Sequence, residues 1–190
     1  MGHSQADKLL THERILNVAS KGFRDLGIDG MSIADIMGEA GATVGAFYKH
    51  FDTRDSLVTE AIDLAFSDRE QWEAKTRKNL RGGIRDYLSY EHRDNVASSC
   101  IFSSLSSDIR RSQDETRTIY TEQMKKILGL LDESLPLQID VNRHQKAAML
   151  FAALVGAMTL ARSTNDEKLS GKILKGVADE LIQFLTPSNA

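Results

Sequence analysis

From Thr11 to Leu185 the apolar residues recur three and four positions apart, and no stretch sustains apolar/polar alternation with β-branched enrichment. Such spacing leaves one economical way to bury apolar surface, which is helix packed on helix. Pro136 and Pro187, the two prolines, fall outside the periodic runs and interrupt none of them. With 41% apolar residues in 190, the chain has enough to close a core. The expected fold class is all-α, with about nine helices.

The clearest punctuation lies near the N-terminus. Thr11 to Leu26 sets Ile15, Ala19, Gly22, Phe23 and Leu26 at helical spacing, and Gly27 follows where a helix ends in a positive-φ residue. Gly27 to Gly30 predicts a loop. Ser32-Ile-Ala-Asp35 has the Ser-x-x-acid pattern of a capping box, so a second helix starts at Ser32 and ends at Gly41, which supplies a tight turn. Thr43 is the next N-cap, opening a helix of about two turns with apolar positions at Val44, Phe47, Tyr48 and Phe51. Thr53 then caps a long helix expected from Arg54 to around Lys78. Three helices in close succession, the second and third joined by a short glycine turn, make a helix-turn-helix.

In that plan the segment from Thr43 enters the major groove of double-stranded DNA. Thr43, Val44, Ala46 and Lys49 face outward, Gly45 lets the backbone come close to the duplex, and Tyr48, His50 and Arg54 reach phosphates on the flanks. Arg54 sits in the first turn of its helix, where a cation opposes the macrodipole, and a phosphate partner accounts for it.

The block Gly30 to Phe51, with its Gly-x-Phe-Tyr-x-His-Phe core, and the following Thr53-Arg-Asp-Ser-Leu57 resemble the N-terminal domain of the TetR family of bacterial transcriptional regulators. The resemblance spans about residues 9–69, with the helix-turn-helix at 32–51, and leaves 70–190 as an effector-binding and dimerisation domain. It implies a ligand-responsive repressor with no catalytic activity, a homodimer that occupies a palindromic operator and lets go when a small molecule fills a C-terminal pocket. Ser32 and Thr43 take the family's capping positions, Gly45 its close-approach glycine, and Tyr48 and His50 its phosphate contacts. Many relatives carry a polar or basic residue at the position of Val44 and a lysine at that of Arg54. An apolar Val44 suits a thymine methyl better than a guanine edge, and Arg54 keeps the charge.

Beyond residue 80 helices are expected over Arg81–Arg93, Ser98–Arg111, Asp114–Ser134, Val141–Ser163 and Lys168–Leu185. Small residues at Ala153, Gly156 and Ala157 permit close helix approach, and with Leu160, Ile173, Val177 and Leu181 they are the expected dimer interface. The resemblance places these two helices in a four-helix seam. Phe66, Trp72, Tyr87, Phe102, Leu105, Tyr120, Met124, Phe151 and Met158 are candidates to line an effector pocket, and their chemistry favours a small hydrophobic or planar effector.

Charge and cysteine usage bound the alternatives. The net charge is −3, and residues 1–69 carry seven Lys and Arg against eleven Asp and Glu, so a DNA-binding face requires charge to be segregated. The single cysteine, Cys100, excludes an internal disulfide framework and suits the cytoplasm. The serine-rich stretch around it lacks the partners of a nucleophilic motif. A redox or small-molecule sensor acting through protein contacts is the alternative function. Five histidines without an i, i+4 pair give no metal site, no dinucleotide or Walker glycine pattern implies a cofactor, and the apolar run Ala147–Ala161 is too short to favour a membrane span and is expected as a buried helix.

Overall fold

Local capping decides where the helices begin. In the computed structural model, which describes residues 5–137, 139 and 141–185, the first helix, α1 (Gln5–Leu26), ends at Gly27, whose φ of +83° side chains rarely adopt. The second, α2 (Ile33–Glu39), opens on the predicted capping box. The Ser32 hydroxyl accepts from the Asp35 N–H at 3.1 Å, and the Asp35 carboxylate accepts from the Ser32 N–H at 3.0 Å. Gly41, at φ +67°, makes the turn that follows. The two-turn helix expected after Thr43 is a tighter 3-10 segment, Val44–Lys49, and Thr43 is extended without a side-chain cap bond. Thr53 caps α3 (Arg54–Ser67) by accepting from the Ser56 N–H at 3.0 Å.

Three expected helices are broken. The run predicted to reach Lys78 stops at Ser67, whose hydroxyl turns back on the Leu64 carbonyl, and α4 (Glu70–Lys78) starts afresh after a turn at Asp68 and Arg69. Arg81–Arg93 divides into α5 (Leu80–Tyr87) and α6 (Tyr90–Asp94), each with its own cap, Asn79 on the Gly82 N–H and Ser89 on the His92 N–H. The serine-rich run gives α7 (Ile101–Ser104) and α8 (Ser106–Ile109). There the hydroxyls of Ser103 and Ser104 bond the Cys100 carbonyl and Ser106 bonds that of Phe102, in competition with a continuous ladder. By contrast α9 (Asp114–Ser134) has the predicted bounds, and α10 (Arg143–Ser163) and α11 (Glu167–Phe184) shift by only a residue or two. Among the described residues there are helices and turns but no strand, so the all-α class holds. Pro187 lies outside the described residues.

The chain forms two compact units. The first joins residues Met1–Asp68 to Cys100–Thr121, so a segment well beyond the N-terminal helices packs with them. Here α1 lies against α2 and α3, and α7 closes on α1 and α3. Ile15, Phe23, Ile36, Met37, Phe47 and Leu57 are fully buried in its core. A buried hydroxyl pair, Thr59 and Thr116 at 2.8 Å, ties α3 to α9. Arg24, only 3% exposed, is held by Asp68 at 2.8 Å and by the Ser20 carbonyl, the partners a buried charge requires.

The second unit comprises Arg69–Ser99 and Glu122–Ala190. Its core is the α10–α11 pair with α5 against both, and it buries Leu150, Leu154, Met158, Leu174 and Leu181. Gly83 lets α5 pass close to α4, since a Cβ there would stand 2.2 Å from Thr76 Oγ1 and 3.2 Å from its Cα. The helix expected to be buried, α10, hides only one face and leaves Met149 and Leu160 exposed. By length and composition it is apolar enough to cross a membrane, as core helices often are.

Candidate nucleic-acid interface

Two rings fix the segment after the glycine turn. Phe47 is fully buried and Phe51 nearly so, with centroids 5.5 Å apart, and between them they anchor Val44–Lys49 to the first unit. The side chains not used in anchoring face outward. Thr43, Val44, Gly45, Tyr48 and Lys49 are exposed, Tyr48 at 72%, while Ala46 and His50 are half-buried. The structure thus brings Thr43, Val44, Gly45, Ala46, Tyr48, Lys49 and His50 together on one short element. Gly45 needs no special backbone, and a Cβ added to it would meet nothing within 4 Å. Its open surroundings leave room for another molecule's backbone to approach.

Two residues from the sequence reading have partners inside the protein. The Ser32 hydroxyl is committed to the capping box and donates to Asp35 at 2.6 Å, which holds the Asp35 carboxyl below its ordinary range. Arg54 donates through Nη2 to the carbonyls of Ile28 and Met31 and lies 5.8 Å from the Phe23 ring. Those carbonyls, rather than a phosphate alone, account for a cation at the start of α3. They belong to the loop before α2, so Arg54 braces the turn that carries the whole motif.

His12 escaped the sequence reading. From α1 its ring stacks on Phe51 at 4.6 Å, stands 5.9 Å from His50, and places Nε2 2.9 Å from a Glu60 carboxylate oxygen on α3. Nothing local marks it, because its partners lie far along the chain. His50, with its Nδ1 buried and unpartnered, is pushed below the ordinary histidine range, first by burial and then by His12, Lys8 and Lys49. The charges that lower it come from basic residues on α1 and on the segment itself.

The candidate pocket residues divide between the units. In the first, Phe66, Phe102 and Tyr120 form a ring cluster, with Phe102 and Tyr120 4.7 Å apart and Leu105 fully buried. In the second, Trp72 packs on Tyr87 at 5.7 Å and donates to the Gly83 carbonyl, Phe151 and Met158 are buried, and Met124 is half-buried. Of the candidate interface residues, Leu160 is 61% exposed, Ala153, Gly156, Ile173 and Val177 are half-buried, and Ala157 and Leu181 are buried. Cys100 is half-buried ahead of α7. Among the described residues no His, Cys, Asp and Glu cluster has the makings of a metal site.

The fold and this short exposed element define a helix-turn-helix protein. Residues 15–61 match the pattern of a family described as bacterial regulatory proteins, tetR family. No curated protein matches the chain by sequence. Solved structures resemble it over nearly its whole length. A TetR-family transcriptional regulator from Agrobacterium tumefaciens is 19% identical, covers 95% of this chain and 100% of its own, and superposes with a TM-score of 0.79. One from Cytophaga hutchinsonii is 16% identical over 96% and 98%, TM-score 0.77, and reduced E. coli NemR is 17% identical over 91% and 95%, TM-score 0.75. At such identities the likeness speaks for the fold, and the family pattern covers the N-terminal segment alone. Residues 15–61 are thus similar to the N-terminal segment of TetR-family regulators, a family of DNA-binding transcription factors, not enzymes.

Proposed function

We propose that the chain is a cytoplasmic repressor that binds a palindromic operator as a homodimer and leaves it when a small hydrophobic or planar effector binds. The observation that carries this reading is the Val44–Lys49 segment, pinned by Phe47 and Phe51 and otherwise turned outward around an unobstructed Gly45. In it Thr43, Val44, Ala46 and Lys49 read base edges, Tyr48 and His50 contact phosphate, and Ser32 and Arg54 set the motif's geometry. Residues 9–69 serve DNA, and 70–190 serve dimerisation and the effector. Apolar residues left exposed on α10 and α11, among them Met149, Leu160 and Leu169, support a second copy at that face. The clustered rings of Phe66, Phe102 and Tyr120 support an apolar effector.

Selection of duplexes from a random-sequence library by the full chain, followed by footprinting, tests the reading. The expected product is an inverted repeat whose protection weakens in Tyr48→Ala. Recovery of no enriched sequence at moderate salt would overturn it.

A further inference from the structure

The family match begins at residue 15, yet α1 starts ten residues earlier, at Gln5. What those extra turns do follows from their contacts. His12 fixes the register of α1 against the segment after the glycine turn, through its stack on Phe51, its approach to His50 and its bond to Glu60. Lys8 precedes His12 by four residues and so shares its face of the helix. That face looks toward His50, and Lys8 and Lys49 are the two lysines whose charge His50 senses. The Glu60 carboxylate in this group is engaged by His12. Lys8 itself is exposed.

We propose that Lys8 is a DNA phosphate contact contributed by the N-terminal turns of α1, one that extends the interface beyond the helix-turn-helix alongside Lys49 and His50. The inference rests on the DNA-binding reading and adds a site to it. Lys8 reads no base. It neutralises one backbone phosphate, and its loss should cost affinity equally on every sequence.

Salt dependence isolates such a contact. The full chain and its variants are titrated onto a fluorescein-labelled duplex of about 30 base pairs of mixed sequence, across roughly 50–200 mM KCl. Lys8→Gln should lower the slope of log K against log salt by about 0.9, so that the wild type loses about threefold more affinity than the variant over that range. Lys168→Gln, an exposed lysine on α11, should leave the slope unchanged. A wild-type slope retained in Lys8→Gln while Lys49→Gln reduces it would overturn this inference and spare the DNA reading. An equal reduction in Lys8→Gln and Lys168→Gln would overturn it as well, because the effect would then be one of net charge. A wild type that shows no salt-dependent binding would overturn both.

Discussion

Phe47 and Tyr48 are neighbours in sequence with perpendicular rings, 5.2 Å between centroids, yet one is fully buried and the other is 72% exposed. The pair separates a buried anchor from a ring left to solvent. Phe47→Ala should cost about 3–5 kcal/mol in urea unfolding, as large-to-small changes at buried aromatics do. Tyr48→Ala should leave the midpoint unchanged and weaken binding to duplex DNA of any sequence. Equal destabilisation by both would mean that Tyr48 belongs to the core.

Gly45 tells the same story from the backbone side. Since a Cβ meets nothing and φ is not positive, Gly45→Ala should fold with stability within about 1 kcal/mol of the wild type or above it. If the proposed DNA face is right, its DNA affinity should fall at least tenfold, because the methyl group would stand where a duplex is proposed to approach. Anisotropy titration checks this, and an unaffected Gly45→Ala would show that the glycine faces no ligand.

Arg54 predicts a stability loss rather than a purely electrostatic one. Arg54→Ala removes the donor from two carbonyls in the loop before α2, and should destabilise by about 2 kcal/mol. The same loss should be measured without DNA and at high salt. If Arg54→Ala melts like the wild type, the brace is unimportant.

His92 sets a pH dependence. Its Nδ1–H donates to the Tyr87 carbonyl at 2.7 Å, and burial foremost, with Arg162 nearby, pushes its proton affinity below the ordinary value of 6.5. As the pH falls through 6.5 the unfolded chain takes up a proton that the folded one resists, so stability is full above that range and declines below it. The melting temperature should drop between pH 7.5 and pH 5.5, and the drop should be smaller in His92→Asn.

For the second copy, Leu160 is the test position. At 61% exposure it contributes little to the packing of its own chain, so Leu160→Glu should fold normally and run as a monomer in light scattering, and the wild type should run as the proposed dimer. Unchanged mass would remove α10 from the interface.

What could be read in advance was what short-range chemistry decides. The Ser32–Asp35 box, the Thr53 cap and the turn at Gly41 depend on residues within three or four positions, and all stand where the pattern sets them. The break after Ser67 and those in the serine-rich run were hidden, because apolar periodicity continues across them while hydroxyls and packing end the ladder. His12 with Glu60, and Arg54 with the Ile28 carbonyl, were beyond reach for a different reason. Their partners are 48 and 26 residues away and carry no local mark. The packing of Cys100–Thr121 with the N-terminal helices is likewise non-local, and helical spacing alone does not say which aromatic faces which neighbour.

The two lysines near His50, Lys8 and Lys49, in a chain of net charge −3 also bear on how such a molecule would meet a polyanion. On the proposed reading its average charge repels while the edge that carries Lys8 and Lys49 attracts, so the field exerts a torque before it exerts a pull. Encounters that begin in the wrong pose are turned or rejected at a distance. The acidic remainder thereby discourages the misoriented, indiscriminate sticking to nucleic acid that a uniformly cationic protein suffers.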